Sequence, residues 1–521
     1  MREDLRIWIR RGVIYTLLFV LLSTAANADS AAGSSGAAGV LGEKTAWATP
    51  WYVVDGQEPG PVVFLTGGMH GDEPAGSVAA EQIRHWPIRR GRLIVVPKVN
   101  KLGLIAETRW FPPLKDDQKR RDLNRNFPTS DREPPLSPVA EALWDLVQQQ
   151  QPDVVVDLHE GFDFHISNSK SVGSSIIFSK SDKRMMLAEK MLAAVNATVD
   201  DQNRQFELLS RSGAMQGSLV RACTDRLRID SFILETTYKD QPLSLRARQH
   251  RRMVSTLLQN VGLIDRDCVD ILSPGTDSEI IRVALYDSAG ASSNGLKNLF
   301  RVLNDAAEIA VVRVGPADMN AECLKQIDVV MFPGGSGGKQ GRAIGESGRE
   351  AIRGFVKRGG GIVGVCAGAY LCSAHYDWSL RVINTAVFNK TVEIPGVGRK
   401  SMWYRGGAQV VQMELENSAE RVLGKTGEVS VRYQNGPVIS TGKATDLPAF
   451  TPLAWFRSEV VKYEPQKGTM INTPAIVIAD FGKGRVLSIS PHPESTPGLE
   501  SMIVNGVRWA ARKPVNRAAT H

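Results

Sequence analysis

The stretch FLTGGMHGDEPAG, Phe64–Gly76, runs from the end of an apolar strand through a glycine-rich turn to the start of a helix. It places His70 and Glu73 three residues apart, directly after the strand. In open parallel sheets, functional groups collect at the carboxyl ends of the strands. The spacing alone is compatible with a solvated polar turn or with part of a metal site, and the other motifs distinguish the two.

Apolar runs typical of buried strands alternate with helical patterns around this turn. The strand-like runs are PVVFLTGG, RLIVVPKVN, DVVVDLHEG and SFILETTY. Helices are predicted between and after them, over 75–85, 137–149 and 244–263. Continuous apolar strands separated by helices predict a largely parallel sheet that is covered on both faces. We assign this pattern to a first domain over 49–264.

The segment Asp265–Glu279 loses the periodicity and contains Pro-Gly, which predicts a linker over 265–279. A second alternation follows, with the strand-like runs IRVALYDS, EIAVVRV, DVVMFPGG and GGIVGVCAGAYL. Helices are predicted over 295–306 and 348–358. We therefore predict an α/β fold with two doubly wound domains, the second over 280–514.

Residues 1–28 carry the three parts of a secretory signal peptide: basic residues, the apolar run GVIYTLLFVLLSTAA and the small-residue site ANA at 26–28. A membrane anchor is the alternative, but the run is shorter than the roughly 20 residues that a spanning helix needs. We predict cleavage after residue 28, export to the periplasm or the cell exterior, and no membrane span in the mature chain. The Ala-, Gly- and Ser-rich residues 29–48 predict a flexible spacer, with ordered structure from near Trp51.

The composition is that of a folded protein and excludes several functional classes. Of the 521 residues, 42% are apolar and 23% are charged, as in ordinary globular domains. The net charge of +8 is modest for this length, and no basic-aromatic motif of a nucleic-acid module is present, so nucleic acid is not a predicted partner. The five cysteines lack a C-x-x-C pair and are odd in number, which excludes a disulfide framework and leaves at least one thiol free.

Four candidate residues lie at or just after strand ends in the first domain: His70, Glu73, His159 and Glu235. Two histidines and a carboxylate, with a fourth position open to water, form the ligand set of a zinc hydrolase. A further carboxylate would take a proton from the attacking water and pass it to the leaving amine. Asp157, two residues before His159, either orients a ligand imidazole or pairs with an arginine.

A second motif, RRDLNRNFP at 120–128, completes the ordered series HGDE, DLNRNFP, DLH and ILE. On these four motifs, the chain resembles the zinc carboxypeptidases and the related succinylglutamate desuccinylase and aspartoacylase group over about 51–263. The resemblance implies one zinc ion per chain in the first domain, with His70, Glu73 and His159 as its ligands. It also implies that Glu235 acts as general base and general acid.

The same resemblance assigns roles to polar residues near the ligands. It implies that Asn124 and Arg125 hold a substrate carboxylate, which an arginine can grip with two parallel hydrogen bonds. It further implies an arginine that stabilises the oxyanion. We predict Arg109 for this role, with Arg120 and Arg121 left open.

The substrate stays open between two classes. Desuccinylases and aspartoacylases usually carry a further β-rich domain, whereas here a helix and a linker follow the ILE motif. Together with the predicted export, this favours a peptidase or amidase that cleaves next to a carboxylate-bearing residue, with cell-wall peptide as one candidate substrate. A deacylase of N-acyl amino acids is the alternative. The rival class is a binding protein in which one or both sites have lost their chemistry.

The segment GVCAGAYL, 364–371, places Cys366 between a buried strand and a helix, with a glycine two residues away on each side. This G-x-C-x-G pattern is the cysteine form of the nucleophile elbow, in which the tight turn needs small neighbours and the helix N-terminus favours a thiolate. Near the end of the chain, SISPHPES places His492 and Glu494 two residues apart after a strand. The histidine could therefore serve the cysteine while the carboxylate orients the histidine.

The second half of the chain resembles the class I glutamine amidotransferases, which have a flavodoxin-like fold. Within that group it resembles the amidotransferase-like domain at the amino end of eukaryotic biotin-protein ligases. The resemblance implies that Cys366, His492 and Glu494 form a triad, and that Gly334 and Gly335 of the FPGG motif belong to an oxyanion loop. Three interpretations of Cys366 stay open: a nucleophile that hydrolyses an amide or ester, part of a small-molecule pocket, or a relic.

Overall fold

The structure is a computed structural model that describes residues 37–210, 213–274, 279–401, 408–460 and 467–513. The signal peptide predicted over 1–28 lies outside these residues. Among the helices that are described, none is both long and apolar enough to cross a membrane. The described residues build two large sheets, the first of eight strands and the second of nine.

The first sheet takes its strands from the first half of the chain. They are β1 (Gly39–Leu41), β2 (Thr49–Asp55), β3 (Glu58–Gly67), β4 (Arg90–Val96), β5 (Val154–Gly161), β6 (Ser175–Ile177), β7 (Glu207–Leu209) and β8 (Asp230–Thr237). The helices are α1 (Pro74–Ile83), α2 (Lys101–Ala106), α3 (Pro138–Gln150), α4 (Asp182–Asn196), α5 (Leu219–Leu227) and α6 (Leu243–Val261). The strand order is β1-β2-β4-β3-β5-β8-β6-β7.

The central strands β4, β3, β5 and β8 are parallel, and helices cover both of their faces. Val63 and Leu65 of β3 lie in the same apolar cluster as residues of α1, α4 and α6. Phe64, between them, faces the opposite cluster with α3 and α5. All eight residues of β5 are buried for this reason, which explains why VVVDLHEG is apolar throughout most of its length. The predicted helices over 75–85, 137–149 and 244–263 correspond to α1, α3 and α6.

The spacer predicted over 29–48 is wrong for its described part, because β1 lies inside it. β1 pairs antiparallel with β2, and Leu41 is buried in the cluster that also contains Trp47 and Trp51. One leucine and two tryptophans bring enough apolar surface to order a segment whose Ala, Gly and Ser content indicates a linker.

The second sheet takes its strands from the second half of the chain. Its strands and those of two small ribbons are β9 (Ile281–Tyr286), β10 (Ile309–Val314), β11 (Val329–Phe332), β12 (Gly361–Val365), β13 (Thr385–Val387), β14 (Thr391–Ile394), β15 (Gly398–Ser401), β16 (Ala408–Leu415), β17 (Gly427–Gln434), β18 (Ile439–Thr441), β19 (Thr451–Phe456), β20 (Pro474–Phe481) and β21 (Gly484–Ile489). The helices are α7 (Ser293–Asn304), α8 (Ala321–Leu324), α9 (Gly337–Lys357), α10 (Ala367–Cys372), α11 (Glu420–Leu423) and α12 (Glu500–Ala510).

The nine strands follow the order β10-β9-β11-β12-β21-β20-β19-β16-β17. The first five are parallel and occur in the order second, first, third, fourth, fifth, which is the flavodoxin-like order. This confirms the predicted fold class of two α/β units. The last four strands pair antiparallel with their neighbours and extend the sheet beyond the flavodoxin-like part.

The helix predicted over 348–358 begins earlier than the sequence indicates. α9 starts at Gly337, where the Ser336 side chain accepts a hydrogen bond from a backbone amide of the first turn. The helix is interrupted at Gly345, which has a φ of 70°. Repeated glycines make this region a poor helix by intrinsic propensity, so tertiary packing decides its conformation.

Ionic and polar contacts join the two sheets through α6. Arg251 of α6 is buried, and its Nη2 lies 2.7 Å from Asp318 Oδ1, which is also buried. Ser244 Oγ, at the start of the same helix, donates to the carbonyl oxygen of Asp287 at 2.6 Å. The helix that follows β8 thus packs against both halves of the chain.

Candidate active sites

Three side chains converge at the carboxyl ends of β3 and β5. His70 Nδ1 lies 2.8 Å from Glu73 Oε1, and His159 Nδ1 lies 2.8 Å from Glu73 Oε2. The two Nδ1 atoms are 3.2 Å apart, and all three residues are buried. Gly76 helps to bring them together, because a Cβ at that position would lie only 2.5 Å from the Leu158 carbonyl oxygen. Helix α1 can therefore approach β5 closely enough for Glu73 to reach His159.

The outer nitrogen of each histidine faces a carboxylate. His70 Nε2 lies 3.0 Å from Asp122 Oδ1, and His159 Nε2 lies 2.7 Å from Asp157 Oδ2. Asp157 is also held by the Thr66 hydroxyl, which donates to its Oδ1 at 2.6 Å. A carboxylate on the outer nitrogen fixes the tautomer that directs the inner nitrogen at a metal.

The donor set fits a zinc ion. Two imidazole nitrogens and a carboxylate point into one small volume, with their candidate ligand atoms within 4.8 Å of one another. The two histidine Nδ1 atoms are buried and both face the carboxylate of Glu73. A divalent cation could be coordinated by all three side chains. Although burial opposes the charged form, His70 and His159 hold the pKa of Glu73 well below its usual value, so a charged ligand carboxylate is available.

Glu235 lies next to this cluster on the neighbouring strand. It pairs in register with His159 across β5 and β8, so both side chains project to the same side of the sheet. Its Oε2 is buried and has no hydrogen-bond partner among the described residues. Burial, only partly offset by His159, raises the pKa of Glu235 to about 8.

Cys366 lies at the turn between β12 and α10, in a backbone conformation that residues other than glycine rarely adopt. Its φ is 53° and its ψ is −99°, as expected for a strained nucleophile turn. Sγ lies 3.5 Å from the Gln434 carbonyl oxygen. His492 Nδ1 lies 2.7 Å from Glu494 Oε1. Burial disfavours the imidazolium, but the negative charges of Cys366 and Glu494 raise the pKa of His492 to about 10.

The FPGG segment packs against Cys366 and His492. A Cβ at Gly334 would lie 3.1 Å from His492 Cε1 and 3.6 Å from Cys366 Cβ. Gly335 has a φ of 133°, and its added Cβ would lie 2.1 Å from the Gly290 carbonyl oxygen. The structure therefore places Gly334 beside Cys366 and His492, whereas Gly335 lies against the backbone of residues 290–292.

The other four cysteines are also unpaired and buried. Burial raises the pKa of Cys268 to about 11 and that of Cys372 to about 12, and it raises the pKa of Cys223 and Cys323 further still. These four thiols are therefore poor nucleophiles at neutral pH. No disulfide joins any of the five cysteines.

Two family models match the chain. Residues 59–227 match the succinylglutamate desuccinylase/aspartoacylase catalytic domain, and residues 281–513 match the N-terminal domain of biotin-protein ligase. The chain therefore joins two known domain types. The first match agrees with the prediction of a hydrolase-type catalytic domain, and the second agrees with the predicted relation to biotin-protein ligases.

Individual relatives match parts of the chain. N-alpha-acetyl-L-2,4-diaminobutyric acid deacetylase of Halomonas elongata is 34% identical over 132 residues, which are 23% of this chain and 35% of that protein. This chain thus spans about a third of the length of the curated relative it matches. The D,L-carboxypeptidase Csd4 of Helicobacter pylori is 22% identical, with a TM-score of 0.34 over 39% of this chain and 52% of that one. A succinylglutamate desuccinylase/aspartoacylase of Rhodobacter sphaeroides is 21% identical, with a TM-score of 0.31 over 44% of this chain and 62% of that one.

Among the arginines of the desuccinylase/aspartoacylase domain, Arg109 lies at the ligand cluster. Its Nη1 is 2.9 Å from Glu73 Oε1, and its Nη2 is 3.3 Å from Asp122 Oδ2. Arg120 instead pairs with a neighbouring aspartate at the surface, and Arg121 stacks over an indole ring. Of the three arginines considered for the oxyanion, the structure places Arg109 nearest to the chemistry.

Asn124 and Arg125 lie close to the ligands, but their hydrogen bonds are made within the protein. Asn124 is buried, its Nδ2 is 3.2 Å from His159 Nε2, and its Oδ1 accepts from the Leu219 amide at 3.0 Å. Arg125 Nη1 donates to the Asn124 carbonyl oxygen at 2.7 Å. Asn124 thus supports the start of α5, and its Nδ2 lies against the His159 nitrogen that faces Asp157, while Arg125 has further donors for a substrate carboxylate. The carboxylate-holding role of this pair stays a prediction.

Asp122 is the residue that the sequence analysis missed. It lies inside the quoted DLNR motif, where its Oδ1 accepts from the Asn124 amide at 3.0 Å and so begins a short 3-10 turn. The same atom faces His70, which is 52 residues away in the chain. From sequence, an aspartate before a turn is interpreted as the residue that caps that turn. Only the fold shows that Asp122 also contacts His70.

Proposed function

We propose that the first domain is a zinc-dependent hydrolase that cleaves an amide bond next to a carboxylate-bearing residue. The observation that carries the proposal is the convergence of His70, Glu73 and His159, with each histidine directed by a carboxylate on its outer nitrogen. The match to a desuccinylase/aspartoacylase catalytic domain supports the same reaction class. One zinc ion per chain is expected.

Each residue around the proposed ligands would have a separate role in the reaction. Zinc in this site would supply a Lewis acid that polarises the scissile carbonyl and activates water. Glu235 has a buried oxygen without a protein partner among the described residues, and the positive charge of a bound zinc would favour its carboxylate form, so it could take the proton from the attacking water and return it to the leaving amine. Arg109 lies at the cluster and can stabilise negative charge on the carbonyl oxygen. Arg125 would bind the substrate carboxylate.

Two substrate classes fit this arrangement. The first is a peptide, including cell-wall peptide, which suits the predicted export to the periplasm or the cell exterior. The second is an N-acyl amino acid, a class favoured by the 34% identity to a deacetylase of an acetylated diamino acid. Both classes present an amide bond beside a carboxylate. We therefore propose cleavage of such an amide, and activity assays with both substrate classes distinguish them.

We further propose that Cys366 is a nucleophile with His492 as its base and Glu494 as the group that orients the histidine. The strained turn at Cys366 and the 2.7 Å contact between His492 and Glu494 support this role. Gly334 packs against Cys366 and His492, and with the adjacent Gly335 it would form the oxyanion loop. An amide or ester is the expected substrate class.

Elemental analysis of the full chain tests the metal site first. The wild type should contain about one zinc ion per chain, and His159→Ala should lose most of it. His165→Ala is the matched control, because His165 follows the same strand but bonds to the Ser171 carbonyl oxygen outside the cluster. Wild-type protein that neither contains zinc nor takes up added zinc would overturn the proposal.

Activity then separates the two substrate classes. The zinc-loaded wild type should release amino acids from peptides or from N-acyl amino acids, and a chelator should abolish the release. Glu235→Gln should retain zinc but lose activity by roughly 100-fold or more, because general acid–base catalysis is lost. A Glu235→Gln enzyme of wild-type activity would remove Glu235 from the mechanism while leaving the metal site intact.

A further inference from the structure

A basic cavity lies on the antiparallel part of the second sheet, away from both active sites. Its floor is formed by side chains of three adjacent strands. Asp480 of β20 pairs with Arg485 of β21, and Ile478 of β20 pairs with Thr451 of β19. Cross-strand partners share a face, and so do residues two apart in a strand. These four side chains therefore project from one face of the sheet into the same cavity.

The cavity has a volume of about 460 Å³ and is bordered by two helical segments. Ser418 and Arg421 come from the segment around α11, while Trp509 and Lys513 come from the end of α12. Arg485 lies at the second position of β21, whereas His492 follows the end of the same strand. The cavity and the Cys366 site are therefore at opposite edges of the sheet.

Arg485 is held in a fixed position against the wall. Its guanidinium lies 5.0 Å from the centre of the Trp509 ring, and its Nη1 donates to the Trp509 carbonyl oxygen at 2.7 Å. A guanidinium that is stacked and bonded in this way loses less conformational entropy when it binds a ligand. The structure thus provides an ordered cation at the floor of the cavity.

Positive charge exceeds negative charge in this cavity. The lining carries three basic side chains, Arg421, Arg485 and Lys513, against the single carboxylate of Asp480. Within the described residues, neither Arg421 nor Arg485 forms an ion pair with a carboxylate. Burial and the nearby charge of Arg512 lower the pKa of Arg485, which indicates that cations are crowded there. A concave surface with excess positive charge attracts anions.

We propose that this cavity binds a phosphate group, as inorganic phosphate or as part of a small phosphate ester. Arg421 and Arg485 bring two positive charges to the cavity, and a phosphate monoester carries roughly −1.5 to −2 at neutral pH. Two guanidinium groups can grip phosphate oxygens, and the hydroxyls of Ser418 and Thr451 can donate to the remaining ones. The volume exceeds that of phosphate alone and lies in the usual range for organic ligands, so Leu453 and Ile478 can contact an organic body.

Calorimetric titration of the full chain with inorganic phosphate and with glycerol 3-phosphate tests the proposal. At least one probe should bind saturably, and Arg421→Gln should weaken that binding about tenfold, as expected for loss of one charge-assisted hydrogen bond. Arg421 is exposed, so this variant should fold. Lys425→Gln is the matched control, since Lys425 is an exposed cation nearby that does not line the cavity. Asp480→Asn should tighten binding because it removes the opposing charge.

The outcomes separate the ligand sources and can overturn the proposal. Tighter binding of the ester than of phosphate would identify an esterified ligand, whereas equal or weaker binding would identify free phosphate. Absence of saturable binding for both probes would refute the site. Binding that is unchanged in Arg421→Gln, or equally weakened in Lys425→Gln, would also refute it, because the phosphate would then bind elsewhere.

Discussion

The ligand geometry makes a quantitative prediction for Asp157→Asn. In the wild type, Asp157 Oδ2 lies 2.7 Å from His159 Nε2, and Oδ1 accepts from the Thr66 hydroxyl. Asparagine has the same shape and keeps one oxygen for His159. The Thr66 hydroxyl can turn to accept from the new amide, because the Val156 carbonyl oxygen lies 3.3 Å away and can receive its proton. The substitution therefore removes the charge of the acceptor but keeps the hydrogen bond.

The expected loss follows from the difference between charged and neutral hydrogen bonds. A bond to a charged group contributes about 1.5–3 kcal/mol and a neutral one about 0.5–1.5 kcal/mol. The difference of about 1–1.5 kcal/mol corresponds to a roughly tenfold weaker zinc affinity. Asp157→Ala removes the bond itself and should weaken zinc binding roughly 100-fold, at the upper end for carboxylates behind zinc histidines.

Competition with a chelator of known zinc affinity, at fixed pH and on the full chain, measures both variants. Asp163→Asn is the control, because Asp163 lies just after the same strand and pairs with Lys239 at 2.8 Å, outside the ligand cluster. Denaturant unfolding of the metal-free proteins separates lost folding stability from lost affinity. Wild-type affinity in Asp157→Ala, or an equal loss in Asp163→Asn, would refute the idea that Asp157 directs His159 at zinc.

Three further predictions concern the second domain and its contact with the first. The pKa of His492, measured by NMR titration, should be about 10 in the wild type and should fall in Cys366→Ser, because the contribution of Cys366 is lost while Glu494 still favours the imidazolium. The stabilisation from this raised pKa is present below about pH 6.5 and disappears as pH rises through about 10. The stability difference between wild type and His492→Gln should therefore shrink over that range. Gly334→Ala should slow alkylation of Cys366, because the new methyl would lie 3.1 Å from His492 Cε1 and crowd the histidine. Gly295→Ala is the control and should not slow it, because the nearest neighbour of its methyl would be 3.6 Å away. Arg251→Met should lower the free energy of unfolding by about 1–3 kcal/mol, because Asp318 loses one charged partner in a buried site but keeps Arg248. Lys325→Met, at an exposed pair, should change it by less than about 1 kcal/mol.

The sequence could predict the parallel strands and the residues at their ends, because both depend on local pattern. Apolar runs such as VVVDLHEG mark strands buried on both faces, and a histidine at such a strand end is carried to the functional edge of the sheet. His70, Glu73 and His159 follow from this logic, together with the order of their motifs. Their short mutual distances come from the strand order β3-β5-β8, which no local pattern in the sequence specifies.

The sequence could not predict contacts that depend on long-range packing. β1 is ordered by tryptophans several residues away, and α9 begins in a glycine-rich stretch because its surroundings outweigh its propensity. The second contact of Asp122, with His70, joins residues that no local pattern relates. The role of Asp157 stayed open for the same reason, since a carboxylate near a strand end can orient a histidine or pair with an arginine, and only the 2.7 Å contact selects the first.

Helix α6 gives the second domain a structural connection to the metal site that does not depend on Cys366 reactivity. Arg246 of this helix pairs with Glu160, whose backbone amide donates to Glu73 Oε2 at 3.1 Å. One turn further along, Arg251 pairs with Asp318 of the second domain. Because a helix is stiff over so few residues, displacement of its second-domain partner would shift Arg246 and, through Glu160, the carboxylate of Glu73. The second domain is thus connected through α6 to the carboxylate of Glu73, the proposed zinc ligand.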